Sequence, residues 1–113
     1  MSDTRDLTQL SCQACKEGDS ALAQSEVDRL LRQLSGWMQT DNAIVKTYPF
    51  KNYYQTLAFV NASAWISHRE DHHPDLSVGF KQCKVTYTTH AVKKGLTLND
   101  FICASKLDNL LDF

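Results

Sequence analysis

Two pairs of short strand-like segments constrain the fold of this 113-residue chain more than any other feature. The first pair spans residues 37–40 and 43–50, joined through Asp41-Asn42, and the second contains the runs at residues 76–80 and 83–89. The second pair alternates apolar and polar residues, which predicts strands with one buried face, and the short polar connection within each pair predicts an antiparallel hairpin. Two such hairpins indicate a four-stranded antiparallel sheet.

Two helices are predicted, one before and one after the first hairpin. A Ser25-x-x-Asp28 pattern predicts the N-terminal cap of the first helix, because apolar residues follow it at helical spacing. Asn52 is predicted to cap the second helix. The apolar face of that helix is predicted to consist of Leu57, Val60, Ala64 and Trp65.

A third helix is predicted after the second hairpin. Thr97 and Asp100 form its capping pattern, and it is expected to end at Leu111. The order helix, two strands, helix, two strands, helix predicts an α+β fold with three helices packed on one face of the sheet. We expect a single domain over residues 25–113, preceded by a lead segment over residues 1–24.

The charge balance narrows the classes of partner. The formal net charge is −1, with 22% charged and 42% hydrophobic residues. Phosphate binding needs a basic face that displaces counterions, so we expect no direct nucleic-acid partner. The longest apolar run is too short to cross a bilayer, and the polar start lacks the apolar stretch of a secretory signal. We therefore expect a cytoplasmic protein with no membrane partner.

The four cysteines are expected to be thiols in that reducing compartment. Cys12 and Cys15 form one CxxC pattern, which is half of a zinc or redox motif, and neither Cys83 nor Cys103 has a partner at ligand spacing. The alternatives are a pair without function near the N-terminus and a pair with transient metal or redox chemistry. We expect the pair to take no part in catalysis.

All four histidines are grouped, at His68, His72, His73 and His90, and Pro74 follows the adjacent pair. Because proline disfavours helix at the preceding residue, His72 and His73 are predicted to lie on the turn that leaves the second helix. Converging imidazoles can donate and accept protons near neutral pH. The alternatives are a zinc site built on His68 and His72, four residues apart, and solvated surface histidines.

Motifs for other chemistries are missing from the sequence. It contains no nucleophile elbow, phosphate loop or dinucleotide fingerprint, and its four glycines are not clustered. Proton transfer without covalent catalysis and without a cofactor remains. The simplest reaction of this kind is an elimination or hydration of a polar heterocycle.

The chain resembles the pterin-4a-carbinolamine dehydratases in one spaced pattern, His68-x3-His72-His73-Pro74-x5-Phe80-x9-His90-x9-Asp100. The likeness extends from the first predicted helix to the last, and the lead segment with its CxxC looks like that of bacterial members. The resemblance implies dehydration of 4a-hydroxytetrahydrobiopterin to quinonoid dihydrobiopterin and water, in the recycling of tetrahydrobiopterin. It implies no metal and no cofactor.

The resemblance also implies catalytic roles for matching residues. His72 and His90 would be the acid–base pair near the 4a hydroxyl. His73 would hold and polarise the pterin. Asp100 has two alternative roles, as the residue that orients a histidine and as the cap partner of Thr97, and both can hold together.

Three further residues are expected to bind the substrate. Phe80 belongs to the family's pattern, and His68 does too, although many relatives carry an acidic residue at its position. Trp37 either borders the site as a flat wall for the pterin ring or belongs to the core. His73 completes the predicted binding set.

Assembly and a second function follow only from the resemblance. It implies a homodimer or homotetramer formed through sheet edges and helices. The apolar residues of the last helix are expected to suit a subunit contact: Phe101, Ile102, Leu107 and Leu111. The alternative to an enzyme is a protein-binding module, because animal relatives act as dimerisation partners of a transcription factor. Support of a phenylalanine hydroxylase is a further prediction.

Overall fold

The sheet predicted from the two hairpins is present in the structure, a computed structural model that describes residues 6–14, 19–90, 92 and 95–110. Within these residues the strands are β1, Met38–Thr40; β2, Ala43–Pro49; β3, Asp75–Val78; and β4, Gln82–Tyr87. Their spatial order is β1-β2-β4-β3, and each neighbouring pair is antiparallel. Both predicted hairpins are confirmed.

Helices cover one face of the sheet. Within the described residues the α-helices are α1, Gln24–Leu31; α2, Tyr53–Glu70; and α3, Leu98–Asp108. On β4, Cys83, Val85 and Tyr87 are fully buried, whereas Lys84 is exposed, so one face of the strand points into the core. The predicted α+β fold is confirmed. No helix in the described part of the chain is long and apolar enough to span a membrane.

Helix α1 begins without the cap that was predicted at Ser25. Its first residue is Gln24, and its N-cap is Ala23, which makes no side-chain capping hydrogen bond. Asp28 instead accepts a hydrogen bond from Gln24 Nε2 at 2.9 Å. The predicted cap is therefore wrong, because the N-cap is Ala23, two residues before Ser25. The apolar stripe is confirmed by the burial of Val27.

Helix α2 buries a different face from the predicted one. Asn52 caps it as predicted, since its side chain accepts a hydrogen bond from Gln55 N at 2.8 Å. Ala64 is exposed and Trp65 is 61% exposed. The buried residues are Thr56, Phe59, Ser63 and Ser67. The serines tolerate burial because their hydroxyls donate to carbonyls of the preceding helical turn.

The apolar residues of α3 belong to the core of the chain. Phe101 is 0% exposed, and Ile102 and Leu107 are each 1% exposed. The expectation that they suit a subunit contact is therefore wrong, since they have no surface to offer to a second chain. The helix ends at Asp108, and Leu111 lies outside the described residues.

The N-terminal segment packs on the same core. A short 3-10 turn spans Leu7–Gln9, and Leu7 and Leu10 are buried in the hydrophobic cluster that contains the α3 residues. The sequence assigned them to a lead segment over residues 1–24 that precedes the domain. The burial of Leu7 and Leu10 means that this part of the segment packs as part of the core.

Candidate active site

A cavity of about 530 Å³ lies between the end of α2, the residues that follow β4 and the N-terminal segment. His72, His73 and His90 all line it. The structure therefore brings together the histidines that were predicted to carry the chemistry. Asp100 lies directly behind one of them.

The chain turns sharply where α2 ends. Asp71 is the C-cap and has a left-handed backbone with φ of 51°, and Pro74 cannot continue a helix. The turn carries His72 and His73 to the cavity, which confirms the predicted corner. Helix α2 ends at Glu70, so His72 lies beyond it. His68 remains on the helix, where it is exposed, and it does not share a helix face with His72. Within the described residues, no three His, Cys, Asp or Glu side chains are grouped as metal ligands.

His72 and Asp100 form a hydrogen-bonded pair. His72 Nε2 lies 2.6 Å from Asp100 Oδ1, and the side chains are 12% and 0% exposed. The imidazole also stacks on the Tyr87 ring, with centroids 5.7 Å apart and planes 7° from parallel. One carboxylate and one aromatic ring thus fix the orientation of His72. Because Nε2 donates to the carboxylate, Nδ1 is the ring nitrogen that can exchange a proton with a substrate.

Asp100 combines the two roles that the sequence left open. Its Oδ2 accepts hydrogen bonds from Thr97 N at 3.0 Å and from Thr89 Oγ1 at 2.8 Å, and the first of these belongs to the capping box of α3. Thr89 Oγ1 also lies 2.9 Å from Thr97 Oγ1. The carboxylate that starts the helix is therefore the one that orients His72.

His90 reaches the cavity from a loop that follows β4. Buried Thr89 and exposed His90 lie beyond the end of the strand. Thr88 Oγ1 fixes this loop by donating to Asn42 O at 2.7 Å. Gly95 packs against the same point with φ of 72°, and a Cβ there would collide with Thr88 Oγ1 and lie 2.8 Å from Asn42 O. The loop position therefore requires glycine at residue 95.

The groups behind the cavity are held neutral. Burial raises the pKa of the Tyr87 phenol, so an uncharged ring supports His72. The hydrogen bond with Cys103, followed by burial, raises the pKa of the Cys12 thiol. The two sulfur atoms lie 3.5 Å apart. The structure thus places Cys12 at the cavity as a thiol, whereas Cys15 lies outside the described residues.

Three predicted binding residues lie apart from the described residues that line the cavity. Trp37 is 6% exposed and belongs to the core, where its Nε1 donates to the Asp108 carboxylate at 3.1 Å. Phe80 is 66% exposed in the β3–β4 connection and stacks on Tyr53. His68 lies on the outer surface of α2. Within this chain the cavity contains His73 from the predicted binding set, and not these three side chains.

Sequence reasoning missed four parts of the site: Thr89, Glu70, Asn99 and residues 12–14. Thr89 and Asn99 each precede a predicted catalytic residue, which is a weak local signal. Glu70 and residues 12–14 give no such signal, because their hydrogen bonds join positions far apart in sequence.

Comparisons with known proteins identify the family of the chain. The family model for pterin 4 alpha carbinolamine dehydratase matches residues 20–110. A Nitrosomonas eutropha protein that carries the family's name is 55% identical over 112 residues, or 98% of each chain. A Nitrosospira multiformis protein of the same name is 56% identical over 105 residues, covering 93% of this chain and 92% of its own.

A solved structure extends the comparison to the fold. The crystal structure of a transcriptional coactivator/pterin dehydratase from Brucella melitensis is similar with a TM-score of 0.77 and 29% identity. The match covers 80% of this chain and 98% of that one. By its sequence and its fold, this chain belongs to the pterin-4a-carbinolamine dehydratase family.

Proposed function

We propose that this protein is a hydro-lyase that converts 4a-hydroxytetrahydrobiopterin to quinonoid dihydrobiopterin and water, in tetrahydrobiopterin recycling, without a cofactor. The observation that carries the proposal is the His72–Asp100 pair at a cavity that His73 and His90 also line. Family membership supports the substrate class, and the geometry supports proton transfer.

The reaction needs one acid and one base. The bond between carbon 4a and its hydroxyl oxygen breaks, and hydroxide is a poor leaving group unless an acid protonates it. Nitrogen 5 loses a proton, and its electron pair forms the new double bond to carbon 4a. Two imidazoles on different elements can serve both ends of this elimination without changing the protein's net protonation.

The geometry suits His72 to the role of base. Asp100 accepts from Nε2 and stabilises the imidazolium that forms when Nδ1 takes the proton from nitrogen 5. His90 then acts as the acid that protonates the 4a hydroxyl from the loop after β4. His73 lies on the same turn as His72, and we assign it to holding and polarising the pterin.

The test is the rate of loss of the 4a-hydroxy intermediate in a coupled hydroxylase assay. His72→Ala and His90→Ala are each expected to lower kcat by about 10²–10⁴-fold, and the double variant should lose nearly all activity. His73→Ala should mainly raise KM. His68→Ala is the matched control, because this exposed histidine lies apart from the cavity. Wild-type turnover in the double variant would refute the assignment.

A protein-binding role is the second candidate, in transcription regulation or in support of phenylalanine hydroxylase. The Brucella melitensis relative is described as both a coactivator and a dehydratase. On α2, Tyr54 is 81% and Trp65 is 61% exposed, which leaves aromatic surface for a contact. Changing both to serine should abolish partner binding without changing kcat if this surface is used.

Cytoplasmic location and assembly as a homodimer or homotetramer remain part of the proposal. Because the apolar residues of α3 are buried, an interface would have to use other surface, such as the sheet edges at β1 and β3. Light scattering coupled to size-exclusion chromatography of the purified chain measures the assembly state. A single monomeric species would contradict it.

A further inference from the structure

Residues 12–14, here called the strap, pass along the cavity that the histidines line. All three strap residues line it. The strap therefore belongs to the surface that any molecule in the cavity would contact, although the chain segment is distant in sequence from every predicted catalytic residue. What holds it there is a set of directed hydrogen bonds.

Two side chains fix the strap through its backbone. Cys12 N donates to Glu70 Oε1 at 2.8 Å. Gln13 N donates to Asn99 Oδ1 at 3.0 Å, and Asn99 Nδ2 donates to Gln13 O at 2.6 Å. The side chain of Glu70 is 4% exposed, and Asn99 is 8% exposed. Buried polar groups of this kind cost free energy when they lose their partners, so the strap is held firmly.

The two holding residues adjoin the proposed catalytic pair. Glu70 is the last residue of α2, directly before the turn that carries His72. Asn99 lies in the first turn of α3, next to Asp100. The strap is thus fixed to the same two helix ends that set the His72–Asp100 geometry. These two helix ends therefore also set the distance between the strap and the imidazoles.

We propose that the strap is a wall of the substrate site, and that Glu70 and Asn99 are positioning residues that act through it. This inference rests on the proposed function, since the ligand is a pterin. A flat bicyclic ring between the imidazoles and the strap would contact the strap equally in the ground state and in the transition state, so the wall contributes mainly to binding. Ala14 presents only a methyl group on this wall, which leaves the cavity volume to the ring.

The first variant removes the hold on the strap. Asn99→Ala deletes both hydrogen bonds to Gln13 and leaves His72 and Asp100 unchanged. We expect KM to rise about tenfold while kcat stays within about threefold of the wild-type value, because the wall binds the ring and does not transfer protons. Asn99→Asp keeps the acceptor for Gln13 N and should recover part of the affinity.

The second variant fills the space in front of the wall. Ala14→Phe should raise KM and weaken pterin binding, because the larger side chain fills cavity volume beside the strap. Ala23→Phe is the matched control, since Ala23 is exposed at the start of α1 and lies apart from the cavity. Thermal unfolding of each variant checks that the chain folds.

Binding of 7,8-dihydrobiopterin, followed by fluorescence, separates the two proposals. If the wild-type protein has no dehydratase activity, the proposed function fails. The wall proposal is then tested by comparing the pterin affinity of the wild type with that of Asn99→Ala and Ala14→Phe. Unchanged KM and unchanged affinity in both Asn99→Ala and Ala14→Phe would overturn the wall. A loss of kcat at constant KM would also overturn it, because the strap would then act on the catalytic pair.

Discussion

Replacing Asp100 with asparagine tests how the site holds His72. The carboxylate accepts from His72 Nε2, Thr89 Oγ1 and Thr97 N. Asparagine has one acceptor oxygen, which can keep the two bonds at the Oδ2 position. Its amide then faces Nε2 as a donor, so neutral His72 must carry its proton on Nδ1 instead. The variant therefore removes the base from the atom that meets the substrate.

The magnitudes separate catalysis from folding. A hydrogen bond to a charged group contributes about 1.5–3 kcal/mol, so Asp100→Asn should lower the free energy of unfolding by about that amount. A small domain with about 5 kcal/mol of stability would keep about 2 kcal/mol and stay more than about nine-tenths folded. The rate should nevertheless fall by about 10²–10⁴-fold, the value of one positioned base. Asp100→Ala is less informative, because it leaves several buried groups unpaired.

The assay combines kinetics with an NMR measurement of the His72 imidazole. Turnover is measured with the coupled hydroxylase, and ¹⁵N NMR of the imidazoles reports which nitrogen of His72 carries the proton. Asp28→Asn is the matched control on the exposed surface of α1. Wild-type kcat/KM in Asp100→Asn, or an unchanged His72 tautomer, would show that the carboxylate does not determine which nitrogen of His72 acts as the base.

Three other outcomes are expected. Iodoacetamide at pH 8 should alkylate Cys12 more slowly in the native than in the denatured protein, since its raised pKa leaves little thiolate; equal rates by mass spectrometry would contradict this. Dialysis against a strong chelator should leave the rate unchanged, because bound metal would keep the imidazoles from exchanging protons; activity restored only by zinc would reverse the conclusion. Phe101→Ala should cost about 3–5 kcal/mol in denaturant unfolding, whereas Tyr54→Ala, at 81% exposed, should cost little.

The parts of the site that the sequence predicts correctly depend on local chemistry. The corner at His72 and His73 follows from Pro74, whose ring excludes helix at the residue before it. The capping role of Asp100 follows from its pattern with Thr97. These two signals need only a few neighbouring residues, so they can be read without the tertiary structure. The contact between Asp100 and a histidine joins residues 28 positions apart, and it is expected only from the family resemblance.

The features that the sequence does not predict depend on contacts between residues far apart in the chain, or on polar side chains that form their hydrogen bonds within their own helix. The buried face of α2 includes Ser63 and Ser67, which appear polar in the sequence but bond to their own helix. The strap is held by residues that lie 58 and 86 positions away along the chain. No periodicity encodes such pairs. Trp37 illustrates a third limit, since a flat aromatic residue suits both a binding wall and a core.

The close approach at Gly95 gives the two imidazoles of the proposed acid–base pair different tolerance to sequence change. His72 is oriented by two side chains that contact its ring, those of Asp100 and Tyr87. His90 depends on a backbone contact in which Gly95 leaves no room for a side chain against Thr88 and Asn42. No compensating side chain can restore that space. In engineering or divergence, therefore, the loop of His90 can be lost through a substitution at Gly95, a residue that lies outside the cavity lining.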